Sequence, residues 1–168
     1  MKLFYMLVGV PGSGKSTWLK NQVPDRLPST AVISSDDIIS EIAETIARMT
    51  GVPVTYNDVF SDNYKLVEKF MLQNAKRIFA SDDVNVVVWD QTNVSVLSRK
   101  KKLDMVPKDY TKIAVFFETP PDDILKERLS KREGKTIPNF VMVSMKDNLV
   151  KPSENEGFDV VQVVNTFY

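Results

Sequence analysis

The sequence predicts an α/β fold, a parallel sheet of about five strands covered by helices on both faces. Three observations carry this. Short apolar runs alternate along the whole chain with segments whose apolar residues recur every three or four positions. Val84–Trp89 is almost continuously apolar, as a strand buried on both faces must be. A glycine-rich loop leaves the first apolar run directly and opens a helix.

The elements follow in order. Leu3–Val8 is the first strand, and a helix runs from Ser16 to about Val23. Pro24 and Pro28 close a loop before a second strand at Thr30–Ser35. From Asp36 the spacing turns helical through Ile39, Ile42, Ala43, Ile46 and Met49, and Gly51 and Pro53 stop it. A further helix carries Phe60, Tyr64, Val67, Met71, Ala75 and Ile78 on one stripe. After the third strand, Val84–Trp89, a basic helix covers about Val94 to Met105, and Lys112–Glu118 forms the fourth strand. A helix follows Pro120 and Pro121, another spans about Asn139 to Val150, and Phe158–Val164 is the fifth strand. No repeat, low-complexity tract or linker interrupts residues 1–168, so a single domain is expected.

The loop after the first strand reads Gly9-Val-Pro11-Gly12-Ser13-Gly14-Lys15-Ser16-Thr17 and fits G-x-x-x-x-G-K-[ST] in the strand–loop–helix frame that pattern requires. Its glycines let successive N–H groups turn inward as an anion nest that ends on a helix N-terminus. Lys15 adds a cation for the β- and γ-phosphates, and Ser16 offers a hydroxyl to Mg²⁺. A plain glycine-rich turn would need neither the lysine nor the hydroxyl. A nucleoside triphosphate, ATP, is the expected ligand.

Composition narrows the chemistry. Formal net charge is zero, so any polynucleotide contact has to come from a local patch. There is no cysteine, which excludes disulfides and thiolate chemistry. There is no histidine either, so a proton acceptor must be a carboxylate. The apolar start is short, lacks a small-residue cleavage site and runs straight into the phosphate loop, so it reads as a strand rather than a signal peptide. No membrane span is expected, and the cytoplasm is the expected compartment.

Three further constellations carry chemistry. Ser34-Ser35-Asp36-Asp37 ends the second strand at the edge that faces the ligand crevice. Asp36 there is the best candidate base, although Ser and Asp are also favoured helix caps. Trp89-Asp90-Gln91-Thr92-Asn93 ends the third strand with an acid placed like a Walker B aspartate, or else as a polar turn before a helix. Lys126, Arg128, Lys131, Arg132 and Lys135 place cations on a helix end and a loop, where Arg128 and Arg132 could close over a triphosphate or simply be solvated. The run Arg99-Lys100-Lys101-Lys102 reads equally as a solvated face or a phosphate track.

Together these motifs resemble the phage-type 5′-polynucleotide kinases, P-loop kinases that move the γ-phosphate of ATP to the 5′-hydroxyl of DNA or RNA. The family's loop is matched by Gly9 to Thr17, its base by Asp36, its D-x-T-N turn by Asp90–Asn93, and its lid by Lys131–Pro138, with Arg128 one turn earlier. The resemblance implies ATP and Mg²⁺ as cosubstrate and metal, Lys15, Asp36, Arg128 and Arg132 as catalytic residues, and a nucleic acid 5′-end as partner. It implies that Asp36, Asp90 and Asn93 meet the acceptor, in a host cytoplasm if the chain is phage-encoded, and Arg99 of the basic run is expected to join them. Ile39 stands where family members often carry an arginine for the acceptor's phosphate, and no D-x-D phosphatase motif is present. A kinase of a small alcohol or nucleoside on the same fold is the alternative, and a non-catalytic nucleotide switch a further one. Oligomeric state is left open.

Overall fold

A computed structural model describes residues 1–23, 29–132 and 135–168, so the expected Pro24–Pro28 loop and Glu133 and Gly134 of the expected lid lie outside the described residues. Five parallel strands form one sheet: β1 (Lys2–Val8), β2 (Thr30–Ser34), β3 (Val86–Asp90), β4 (Tyr110–Phe117) and β5 (Val160–Val164), in the order β2-β3-β1-β4-β5. Among the described residues six α-helices join them: α1 (Lys15–Gln22), α2 (Ser35–Thr50), α3 (Tyr56–Phe79), α4 (Val96–Leu103), α5 (Asp122–Ser130) and α6 (Asn139–Asn148).

The two-residue period of β1 sorts the core. Phe4, Met6 and Val8 face a layer built with Met71, Ala75 and Phe79 of α3 and Leu103 of α4. Leu7 faces the opposite layer with Val88, Val115 and Phe117, covered by Trp18 and Leu19 of α1. Helices therefore cover both faces, as the unbroken apolar strands require. The central strand β1 pairs with β3 on one side and β4 on the other, and the chain leaves it in opposite directions across the sheet. Open α/β sheets bind ligands at this reversal, beyond the strands' carboxyl ends.

Element ends depart from the apolar runs where pairing decides them. β3 begins at Val86, where the backbone N–H groups of Asn85 and Val86 both donate to the Ser29 carbonyl at the entry to β2. β4 begins at Tyr110, before the apolar run, because Lys2 of β1 supplies its pairing partner. The larger departure is in α3. Its expected apolar stripe is divided near Asn63, whose backbone is non-helical (φ −130°, ψ 18°). Val67, Met71 and Ala75 are buried beyond that point, whereas Phe60 and Tyr64 remain exposed. Among the described residues no helix is long and apolar enough to cross a membrane.

Candidate active site

At the carboxyl end of β1 the backbone N–H of Gly9 donates to the carbonyl of Thr92 (3.0 Å), tying the phosphate loop to the turn after β3. Gly12 and Gly14 sit at φ +84° and +106°, the left-handed region in which only glycine is unstrained. A Cβ on Gly14 would also meet Thr166 Cγ2 at 2.6 Å. Gly14 is the N-cap of α1 and offers no side chain, so the first-turn N–H groups of Lys15, Ser16 and Thr17 have no side-chain cap. Such an end, opening into a cleft, fits a phosphate group.

The cleft is about 1190 Å³ and is lined by Pro11, Gly12, Gly14, Lys15, Ser16 and Thr17 on its loop wall. Gly9 and Ser13 lie beneath, Ser13 wholly buried with no partner for its hydroxyl. Lys15 Nζ donates to the carbonyls of Gly9 (2.8 Å) and Val10 (2.9 Å). Burial lowers its pKa to about 8, against the pull of Asp90 and with help from Arg132 and Lys135. Burial likewise raises Asp90, against the pull of Lys15.

Asp36 and Asp37 point to different places. Asp36 lines the same cleft as Lys15, whereas Asp37 lines a separate hollow of about 720 Å³ between α2 and α3. There burial, then Asp36 and Glu41, raises the Asp37 carboxyl. Asp36 Oδ1 accepts from Tyr56 Oη (2.9 Å), and Oδ2 pairs with Lys135 Nζ (2.9 Å). That leaves about two of its four lone-pair sites for another donor. Lys135 Nζ also lies 4.6 Å from the centroid of the Tyr56 ring. Arg132 completes this cationic wall of the cleft.

Ser16 and Asp90 are the residues that would hold Mg²⁺ or its water shell. Among the described residues no group of three His, Cys, Asp or Glu forms a metal cage. That suits a cation carried by substrate phosphates plus one or two protein oxygens.

Two expected site residues are corrected. Arg99 was expected to meet the acceptor, but its guanidinium is wholly buried. Its Nε and Nη2 grip Glu156 (2.8 and 3.1 Å), and Nη1 donates to the carbonyls of Asn93, Val94 and Val150. Asn93, expected beside it on the acceptor, is buried at φ 47° and donates to the Leu7 carbonyl (2.7 Å) while accepting from Lys102. Both residues hold the Asp90–Asn93 turn against β1. Lys102 is thereby drawn inward, with its pKa lowered to about 8 by burial, and Lys100 pairs with Asp104 (3.1 Å). Of the basic run on α4, Arg99 and Lys102 are thus engaged inside the fold, whereas Lys100 and Lys101 stay exposed.

Arg128, expected to close over the transferred group, lines the cleft and also clamps the loop. Its Nη1 donates to the Gly12 carbonyl and Thr166 Oγ1 (both 2.9 Å), and its Nη2 donates to the Thr166 carbonyl (2.7 Å). Thr166 Oγ1 in turn donates to the Ser13 carbonyl (2.7 Å). Sequence reasoning missed Thr166, Tyr56 and the Lys135–Asp36 pair, because each depends on contacts between distant segments. Ile39 is wholly buried with Val59 and Val67 between α2 and α3, so an arginine there could not reach the cleft.

The Arg99 network gives a stability prediction. Arg99→Ala strands Glu156 and three carbonyls, and should cost about 3–5 kcal/mol. Arg99→Lys should recover little of this, having no planar fork. Denaturant midpoints measure both, and an unchanged midpoint for Arg99→Ala would remove the staple role.

A phosphate nest at the sheet's reversal point, with a carboxylate across the cleft, defines a kinase-like P-loop domain. The chain belongs to the AAA domain family, whose model matches residues 4–152. It is 25% identical over 160 residues to mouse heterogeneous nuclear ribonucleoprotein U-like protein 2, covering 93% of this chain. The chain spans about one fifth (20%) of that relative's length. Its fold is similar to a gluconokinase from Sinorhizobium meliloti 1021 (TM-score 0.55, 18% identity, 99% of this chain and 83% of that one). It is also similar to a chain of the Pnkp1/Rnl/Hen1 RNA repair complex (TM-score 0.62, 19% identity, 88% of this chain and 44% of that one). At these identities the structural likenesses establish the fold alone.

Proposed function

We propose that this domain is an ATP- and Mg²⁺-dependent kinase that transfers the γ-phosphate to a 5′-hydroxyl of a nucleic acid. The observation that carries the kinase reading is the shared cleft, with the uncapped nest and Lys15 on one wall and the Asp36 carboxylate on another. The loop N–H groups and Lys15 hold the phosphates, and Ser16 and Asp90 hold the metal. Bound Mg²⁺ supplies neutralisation of charge on the β- and γ-phosphate oxygens. Asp36 accepts the proton of the attacking hydroxyl, steadied by Tyr56. Arg132 and Lys135 meet charge that develops on the transferring group, and Arg128 keeps the loop rigid through Gly12. The motif combination from Gly9 to Pro138 supports a polynucleotide as the acceptor.

The buried Arg99, Asn93 and Ile39, with Lys102 drawn onto Asn93, favour a second reading, because they leave few residues of a phosphate track on the surface. In that reading the acceptor is a small alcohol or a nucleoside. A labelled-ATP transfer assay across 5′-hydroxyl oligonucleotides, nucleosides and sugar acids separates the two. The first reading expects the highest kcat/KM on oligonucleotides. Transfer confined to nucleosides or sugar acids would give the answer to the second, and no transfer to any hydroxyl would leave a nucleotide-binding switch.

A further inference from the structure

We infer that Tyr56, Phe60 and Tyr64 on α3 form a stacking platform for the terminal nucleobase of the acceptor strand, an inference that rests on the polynucleotide reading. These residues stand four apart, Tyr56 and Phe60 on one face of the first turns of α3 and Tyr64 just past the non-helical Asn63. All three line the cleft that holds Lys15 and Asp36. The Tyr56 and Phe60 rings are stacked, 5.9 Å apart and 11° from parallel. Tyr64 meets the edge of that stack at 5.5 Å.

Tyr56 packs in part against the α2–α3 core, whereas Phe60 is 42% and Tyr64 53% exposed, and Val59 and Val67 of the same helix fill the contact with α2. The non-helical Asn63 lies between Phe60 and Tyr64. An exposed aromatic row inside a cleft is a site for a planar ring.

Position assigns the row to the acceptor rather than to the adenine of ATP. It begins at the candidate base itself, since Tyr56 Oη donates to Asp36. Arg128 and Thr166 occupy the other flank of the loop, against Gly12 and Gly14. In-line transfer places acceptor and donor nucleoside on opposite sides of the moving phosphoryl group. Chemistry then selects a nucleobase. With Arg99 buried and Lys102 drawn onto Asn93, acceptor affinity has few phosphate contacts to rest on, and every base has a face that can stack. The cleft, at about 1190 Å³, exceeds the usual size for one small ligand and has room for a second.

The test uses a 5′-hydroxyl oligonucleotide with 2-aminopurine as its terminal base, whose fluorescence is quenched on stacking, and a matched strand that is abasic there. For Phe60→Ala with Tyr64→Ala we expect loss of quenching and a roughly 5- to 100-fold higher oligonucleotide KM. The KM for ATP should stay within about twofold. Phe60→Trp should keep both quenching and KM, which a general loss of folding would not allow. For the abasic strand, wild-type and variant KM values should coincide.

The platform is overturned if wild-type protein does not quench the probe, or if the double change leaves the oligonucleotide KM unaltered. A rise in ATP KM alone would overturn it in favour of an adenine site. An equal rise for the abasic strand would overturn it in favour of a sugar contact. Quenching is read without turnover, so failure of the kinase reading is distinguishable: probe quenching that needs Phe60, with no phosphoryl transfer, would support the platform while sinking the reaction.

Discussion

Lys15→Ala should lower the rate of phosphoryl transfer by about 10²–10³ while the protein stays folded. The ammonium packs against no apolar core. It bridges the carbonyls of Gly9 and Val10, which lie beneath the cleft. The loop keeps its shape through Gly9 to Thr92 and Arg128 to Gly12. A linked pH effect distinguishes loss of this charge from general damage. Burial holds Lys15 near a pKa of about 8, so as pH rises through that value the free protein sheds the proton that a triphosphate needs opposite it. In the wild type kcat/KM for ATP should therefore fall above pH 8. With Lys15→Arg, whose guanidinium does not titrate in this range, the low-pH rate should be altered but that fall should vanish. Ordinary turnover by folded Lys15→Ala, or an identical fall in Lys15→Arg, would remove the lysine from the phosphate site.

The phosphate loop was legible in the sequence because its chemistry is local. Glycines, lysine and hydroxyl lie within nine residues, and the frame of strand and helix is set by neighbouring periodicity. The sheet was legible for a similar reason, since each strand's apolar run declares burial on both faces. Residues whose roles depend on distant partners were not. Arg99 belongs to a basic run that looks like surface, and only Glu156 and the Val150 carbonyl reveal it as an internal staple. Arg128 lines the cleft, but its contacts with Thr166 and Gly12, which fix the loop, could not be read from its spacing. Phe60 and Tyr64 continue the core stripe of α3 by spacing, and the break at Asn63 is invisible in the residue types. Asp36 and Asp37 were adjacent candidates that spacing could rank only weakly. The helix start separates them, turning one into the cleft and the other into the hollow with Glu41.

That separation yields the sharpest expectation. Asp36→Asn should suppress kcat by about 10²–10⁴, the range for removal of a general base, with ATP affinity kept within a few-fold. The amide retains the shape and can still accept from Tyr56, but it cannot take the hydroxyl's proton. It also loses the ion pair with Lys135, whose side chain is mostly buried while that of Asp36 is about half exposed (19% and 54%). A half-exposed pair contributes little to stability, so the loss should appear in rate rather than in unfolding. Asp37→Asn is the control. Its carboxylate lies outside the cleft, and the N-cap contact it shares with Ser34 uses its backbone N–H, which the change preserves. Removing one acid from the first turn of α2 should cost roughly 0.3–1 kcal/mol of stability through the helix dipole, and little rate. Single-turnover measurements at saturating ATP compare the two variants directly. A large loss in Asp37→Asn with near-normal turnover in Asp36→Asn would move the base to the neighbouring residue, and normal turnover in both would leave the histidine-free cleft without a protein base at this turn.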